Sequence, residues 1–217
     1  MPVRAVIFDL DGTLLDTLDD IANAANRVLA ARNFPAHPNS IYRAFIGDGV
    51  VKLMLRALPP THQDEATVKA CVEAYTREYE RSWNVATRPY PGVPELLDAL
   101  TARGMPLAVL SNKPDHFTQR CVSELLPAGR FKVVLGASDR FPRKPAPAAA
   151  LEIARRLAVA PAECVLVGDS GVDMQTARAA GMRGVAALWG FRGREELLRD
   201  GAQHFLAQPA DLLGLVR

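Results

Sequence analysis

Cysteine is scarce in this chain of 217 residues: Cys71, Cys121 and Cys164 are odd in number and show no Cys-x-x-Cys spacing. That excludes a disulfide framework and suits packed, reduced thiols in a reducing compartment. Excess charge of either sign is lacking too. Lys and Arg total 26 against 24 Asp and Glu, a formal charge of +2 with the basic residues spread along the chain, too little for a nucleic-acid or membrane footprint. No apolar run approaches the roughly 20 residues that span a bilayer. The N-terminus has no basic region leading into a long apolar run and a cleavage site; it enters a strand pattern almost at once. The histidines, His37, His62, His116 and His204, are scattered without an HExxH or other metal spacing. Internal repeats and low-complexity tracts are absent. The expectation is a cytoplasmic, soluble protein with a small-molecule partner, no nucleic acid and no membrane, as a monomer or homodimer.

What is present begins with VRAVIFDLDGTLLDT, residues 3–17, where Val6, Ile7 and Phe8 run straight into Asp9 and then Asp11. Two acids at the end of a buried strand need a partner, because moving an ion out of water costs several kcal/mol even after relaxation. Further apolar runs follow: MPLAVLS (105–111), FKVVLG (131–136), ECVLVGD (163–169) and RGVAAL (183–188). Their uniform apolarity predicts strands of a sheet covered on both faces. Between them lie helical patterns, such as VPELLDALTARG stopping at Gly104 and GVDMQTARAAG closing at Gly181. Alternating strand and helix predicts an α/β fold with a doubly wound parallel sheet.

One region breaks the alternation. Residues 17–88 carry only helical patterns, punctuated by Phe34-Pro35, Gly47-Asp48-Gly49 and Pro59-Pro60, and end at the hinge-like Pro89-Tyr90-Pro91-Gly92 cluster. The expected organisation is an α/β core, residues 1–16 and 89–217, with a small helical cap, residues 17–88, inserted after the first strand. Two linkers would let that insert open for substrate and close against water. Tyr75, Tyr79 and Trp83 form a helical stripe expected to be cap core. For Phe191 to Arg217 the pattern predicts a peripheral helix, a short strand over 204–206 and a closing helix, with no chemistry assigned.

Ligands in an open parallel sheet bind beyond the carboxyl ends of the strands, near the point where strand order reverses. Asp9 and Asp11, Ser111, Asn112 and Lys113, and Asp169, Ser170 and Asp173 all follow strands, and Lys144 sits in the Pro-bracketed turn RKPAP. Converging carboxylates repel unless a cation joins them, and oxygen-only ligands favour a hard ion such as magnesium. A lysine and a hydroxyl beside that ion would hold a phosphate, an Asp can be the nucleophile, and a second acid can serve the leaving group and then water. As a calcium loop the stretch fails, with Leu14 where the sharp-turn glycine belongs and Asp20 where the bidentate Glu belongs.

Asp9-Leu10-Asp11-Gly12-Thr13, Ser111-Asn112-Lys113, Lys144-Pro145-Ala146-Pro147 and Gly168-Asp169-Ser170 with Asp173 resemble, in order and spacing, the four motifs of the haloacid dehalogenase-like (HAD) hydrolase superfamily. The resemblance spans almost the whole chain, and the insert looks like the small cap of the subfamily containing phosphoglycolate phosphatase and β-phosphoglucomutase. It implies a Rossmann-like core and a Mg2+-dependent phosphatase working through an aspartyl phosphate on a small phosphorylated metabolite. Asp9 would be nucleophile and metal ligand, Asp11 general acid/base and a metal ligand through its backbone carbonyl, and Asp169 a further ligand supported by Asp173. Ser111 and Lys144, with Asn112, would hold the phosphoryl oxygens, Lys144 also counting among the catalytic groups. Asp11 disfavours dehalogenation, since halide-releasing relatives lack that acid. Ile46-Gly47-Asp48-Gly49-Val50 favours a phosphoglycolate phosphatase-like activity, in which free N–H groups opening the next helix, near Arg43 or Lys52, would face the anionic group of a phosphorylated acid such as 2-phosphoglycolate. A β-phosphoglucomutase-like phosphomutase and a catalytically silent phospholigand-binding protein remain alternatives.

Overall fold

The computed structural model describes Pro2–Val216. In chain order, β1 (Ala5–Phe8) and the short β2 (Leu15–Asp16) precede four helices, α1 (Leu18–Ala30), α2 (Tyr42–Phe45), α3 (Val50–Ala57) and α4 (Glu65–Ser82). Then come β3 (Arg88–Pro89), α5 (Val93–Ala102), β4 (Leu107–Pro114), α6 (Asp115–Leu125), β5 (Phe131–Ala137) and α7 (Ala148–Leu157). The chain finishes with β6 (Cys164–Gly168), α8 (Gly171–Ala179), β7 (Arg183–Ala187), α9 (Arg194–Arg199) and β8 (His204–Leu206). It divides into two compact units, Met1–Leu15 with Pro89–Arg217, and Asp16–Arg88.

The first unit is built on a parallel six-stranded sheet in the order β5-β4-β1-β6-β7-β8. From β1 the chain builds outward through β4 and β5, then returns to the other side of β1 to lay down β6, β7 and β8. The strand order therefore reverses between β1 and β6, and it is beyond the strand ends at such a reversal that open parallel sheets bind ligands. Phe8 stands beside Val167 in register, and the Asp9 N–H donates to the Val167 carbonyl at 2.9 Å. Every residue of β1 and β6 is buried, as their unbroken apolar composition predicts for strands covered on both faces.

Local chemistry sets the helix ends. Gly92, at φ +85°, turns the chain into α5, with Pro94 in its first turn, where a missing N–H costs nothing. Ser170 and Asp173 cap α8 reciprocally, each side chain taking the other's backbone N–H.

The structure differs from the sequence expectations at three places. FKVVLG becomes the edge strand β5, with only Val133 buried, because one of its sides has no neighbouring strand. β4 continues past Ser111 to Pro114. The closing helix is a 3-10 segment, Pro209–Gly214, too short between its Pro and Gly to develop α-helical turns. β8 falls at the expected residues. Cys71, Cys121 and Cys164 are free and buried. No helix among the described residues is long and apolar enough to cross a membrane.

In the second unit, α1 packs on α4. Along α4, Val68, Cys71, Tyr75 and Tyr79 recur at helical spacing and are buried, with the Tyr75 and Tyr79 rings stacked at 5.5 Å and Trp83 buried one turn on. Asp20 ties the first helix of this unit to the unit's last residues. Although an acid on a helix, it is buried, and its Oδ2 accepts from the backbone N–H of Thr87 at 2.8 Å and its hydroxyl at 2.7 Å, while both oxygens meet the Ala86 N–H at 2.9 and 3.0 Å. Truncation would leave the N–H and hydroxyl of buried Thr87 without a partner. Asp20→Ala is therefore expected to destabilise the helical unit by about 2–4 kcal/mol, read as a lower urea midpoint by circular dichroism, with Asp20→Asn intermediate.

Candidate active site

The loop after β1 folds back on itself. The Leu10 carbonyl accepts from the N–H groups of Thr13, Leu14 and Leu15 at 3.3, 3.0 and 3.0 Å, while the Gly12 N–H donates to the Leu15 carbonyl at 2.9 Å. Gly12 sits at φ +84°, and a Cβ there would lie 2.3 Å from Asp169 Oδ2. Gly190 faces the same carboxylate: its Cβ would stand 2.3 Å from Asp169 Cβ and 2.4 Å from the Gly12 carbonyl oxygen. Asp169 therefore occupies a slot that exists because two residues have no side chain. The Phe191 N–H donates to its Oδ2 at 2.7 Å and the Thr13 hydroxyl to its Oδ1 at 3.3 Å; Trp189 Nε1 ties the Thr13 carbonyl at 2.9 Å.

Asp173 enters from the first turn of α8. Its Oδ2 accepts from the Ser170 hydroxyl at 2.6 Å and N–H at 3.2 Å, leaving Oδ1 to meet Lys144 Nζ at 2.6 Å. A Cβ at Gly168 would lie 2.2 Å from that carboxyl, so this glycine also makes room for an acid. Lys144 Nζ reaches Asp9 Oδ1 at 2.7 Å and thus bridges Asp9 and Asp173. Asp9, Asp169 and Asp173 form one buried group whose nearest oxygens lie within 4.8 Å of one another.

The electrostatics follow from this crowding. Burial pushes the Asp9 carboxyl well above its ordinary range; Lys144 pulls it down, and Asp173 and Asp169 push it up. Asp169 is raised to about 7, chiefly by burial and then by Asp173, against the Phe191 N–H, Arg192 and Lys144. Burial alone would depress the Lys144 ammonium, but Asp173 and Asp9 outweigh it and hold it above its ordinary value. Three carboxylates thus surround one ammonium, and the remaining negative charge is what a hard divalent cation with oxygen ligands would offset. The donor set fits such an ion.

The structure gathers Asp9, Asp169 and Lys144 into this cluster and makes Asp173, given a supporting place by the sequence, a full member. The Asp11 carboxylate is not in it; Lys113 Nζ holds both its oxygens at 2.8 and 3.2 Å. Ser111 is buried, its hydroxyl accepting the Lys113 N–H at 3.2 Å. Asn112, expected among the phosphoryl-binding groups, grips the Lys144 backbone: its Oδ1 accepts the Lys144 N–H at 2.9 Å and its Nδ2 donates to the Lys144 carbonyl at 3.0 Å. In the helical unit, Gly47 and Gly49 take φ of +123° and +87°, and α3 starts without a side-chain cap. Asp48 of that turn pairs with Arg56 at 2.5 Å. Sequence reading placed Lys113 with Ser111 and Asn112 at a strand end but gave it no role, although a lysine closing an apolar strand is the same signal that marked Asp9. Gly190 and the Phe191 N–H gave no signal, since a backbone donor can belong to any residue type.

The profile of the haloacid dehalogenase-like hydrolases matches residues 6–187. A curated phosphoglycolate phosphatase of Xylella fastidiosa is 38% identical over 193 residues, 89% of this chain and 83% of that protein. One from Nitrosospira multiformis is 37% identical over 199 residues, covering 90% and 88%. A crystal structure from Lactobacillus delbrueckii subsp. bulgaricus, provisionally assigned as a phosphoglycolate phosphatase, superposes with a TM-score of 0.92 at 32% identity, covering 98% of this chain and 97% of that one.

Saturating Mg2+ is expected to raise the melting temperature by several degrees, as for any ligand that binds only the folded state. Asp169→Asn should abolish that rise in a thermal-shift titration.

Proposed function

The chain belongs to the haloacid dehalogenase-like hydrolases, and on that premise we propose that it is a Mg2+-dependent phosphatase hydrolysing a small phosphate monoester through an aspartyl phosphate. The observation that carries this reading is the buried cluster of Asp9, Asp169 and Asp173 around Lys144, at the point where the sheet reverses. Asp9, Asp169 and Asp173 are the side chains that would hold the ion, with the Asp11 carbonyl as a further ligand. When bound, Mg2+ would supply positive charge against the phosphoryl oxygens and let a carboxylate approach an anion.

The residues divide the chemistry. An Asp9 oxygen attacks phosphorus; the bond to the ester oxygen breaks, and its electron pair leaves with that oxygen. Asp11, protonated, gives its proton to the departing oxygen, so an alcohol is released and Asp11 is left as carboxylate. Water then attacks the phosphorus of the aspartyl phosphate while Asp11 accepts its proton; the Asp9–phosphorus bond breaks and its electrons return to Asp9. Lys144 and the Ser111 hydroxyl donate to the phosphoryl oxygens, and Asn112 keeps Lys144 aimed by fixing its backbone. No acid of the set is missing, which supports turnover over silent ligand binding.

For substrate, the name shared by the relatives supports 2-phosphoglycolate. Free, buried thiols suit work in a reducing compartment such as the cytoplasm.

Purified protein with Mg2+ is expected to release inorganic phosphate from 2-phosphoglycolate with a higher kcat/KM than from sugar phosphates, nucleotides or pyrophosphate. EDTA should stop the reaction, and Asp9→Asn should lower kcat by at least ~10³-fold. Turnover indifferent to Asp9→Asn would refute the nucleophile, and a better sugar phosphate would refute the substrate.

A further inference from the structure

We propose that Lys113 is the positioning residue for the acid/base Asp11, presenting its carboxylate to the leaving-group oxygen. The proposal rests on the phosphatase reading and adds to it a residue outside the nucleophile's own cluster.

The two lysines of the site are divided between the two acids. Lys144 contacts Asp9 and Asp173, on the side where phosphorus would be attacked. Lys113 contacts Asp11 and holds both of its oxygens, at 2.8 and 3.2 Å, so the carboxylate cannot swing about its Cβ–Cγ bond without breaking a contact. The lysine side chain is only 4% exposed and that of Asp11 13%, so the open face of the pair belongs to the acid. Lys113 is itself anchored. It lies in β4, its N–H donates to Ser111 Oγ at 3.2 Å, and its carbonyl accepts from Thr118 Oγ1 at 3.1 Å. β4 is the strand paired with β1, so the ammonium reaches Asp11 from a rigid neighbour. Asp11 lies on a loop, and without the pair its carboxylate would be held by that loop alone.

Orientation is what an acid/base group needs, since proton transfer requires hydrogen-bond reach to the leaving oxygen and a misplacement of about 1 Å can cost ~10²-fold. A purely structural lysine would lose all substrates alike when replaced. A lysine that aims Asp11 would lose the substrates that need a proton. An alkyl ester leaves as a poor alkoxide and needs the acid; 4-nitrophenolate is stable as an anion and does not.

The test is kcat/KM, which reports the steps up to leaving-group release, for 2-phosphoglycolate and 4-nitrophenyl phosphate with wild type, Lys113→Met, Lys113→Arg, Asp11→Asn and the double variant Asp11→Asn/Lys113→Met. Lys113→Met should lower kcat/KM for the alkyl ester by ~30-fold or more and for the aryl ester by less than about 3-fold. Lys113→Arg should recover part of the loss, and the double variant should be no worse on the alkyl ester than Asp11→Asn. Equal losses on both esters, a loss confined to KM, or additive losses in the double variant would overturn the proposal. Should the methionine variant fail to fold, Lys113→Arg decides alone, by whether its smaller loss is selective for the alkyl ester. Asp11→Asn with undiminished alkyl turnover would instead refute the acid/base assignment and take this inference with it; a large Asp11→Asn effect beside an indifferent Lys113→Met refutes only the role of Lys113.

Discussion

Three carboxylates share a space from which water is largely excluded, with one ammonium among them. Burial drives Asp9 and Asp169 towards their neutral forms, and the neighbouring carboxylates drive them further. Lys144 offsets part of that repulsion by lying between Asp9 and Asp173, and the rest is left for a divalent cation. Several features of the sheet-bearing unit keep those groups together. The strand pairing of β1 with β6 sets Asp9 beside Asp169, the α8 cap turns Asp173 inward, and Asn112 anchors the Lys144 backbone.

Steric subtraction matters as much as attraction. Gly12 and Gly190 flank the Asp169 carboxylate, and Gly168 lies against Asp173, at distances that no Cβ would tolerate. The acids approach closely because the backbone opposite them is bare. Glycine's role here is the space it leaves, joined at Gly12 by a positive φ that lets the loop reverse within a few residues.

The two acids of the Asp9-Leu10-Asp11 stretch meet different lysines. Asp9 stays within the cluster of Asp169, Asp173 and Lys144, where the proposed nucleophile would benefit from charge neutralisation. Asp11, two residues on, is drawn towards β4 and away from that field. One Asp-x-Asp stretch thus yields two environments, and a division of labour between identical side chains requires that difference.

Much of this was legible in the linear chain. Apolar runs ending in acid marked β1 and β6, the helical patterns marked residues 17–88, and the Pro-bracketed lysine marked Lys144, since periodicity and local turn chemistry act over a few residues. The edge position of β5, the 3-10 character of 209–214 and the grip of Asn112 on Lys144 were not legible, because each depends on which segment lies alongside. The amino-acid order by itself determined most of the elements and which acidic, hydroxyl and basic residues follow the strands, all properties of residue type and spacing. Only the tertiary structure decided that Asp173 joins the cluster, that Lys113 takes Asp11, and that Gly190 and the Phe191 N–H complete the Asp169 slot. Contacts at a few ångströms between residues 22 to 102 positions apart are set by strand order and packing, and no local pattern encodes them.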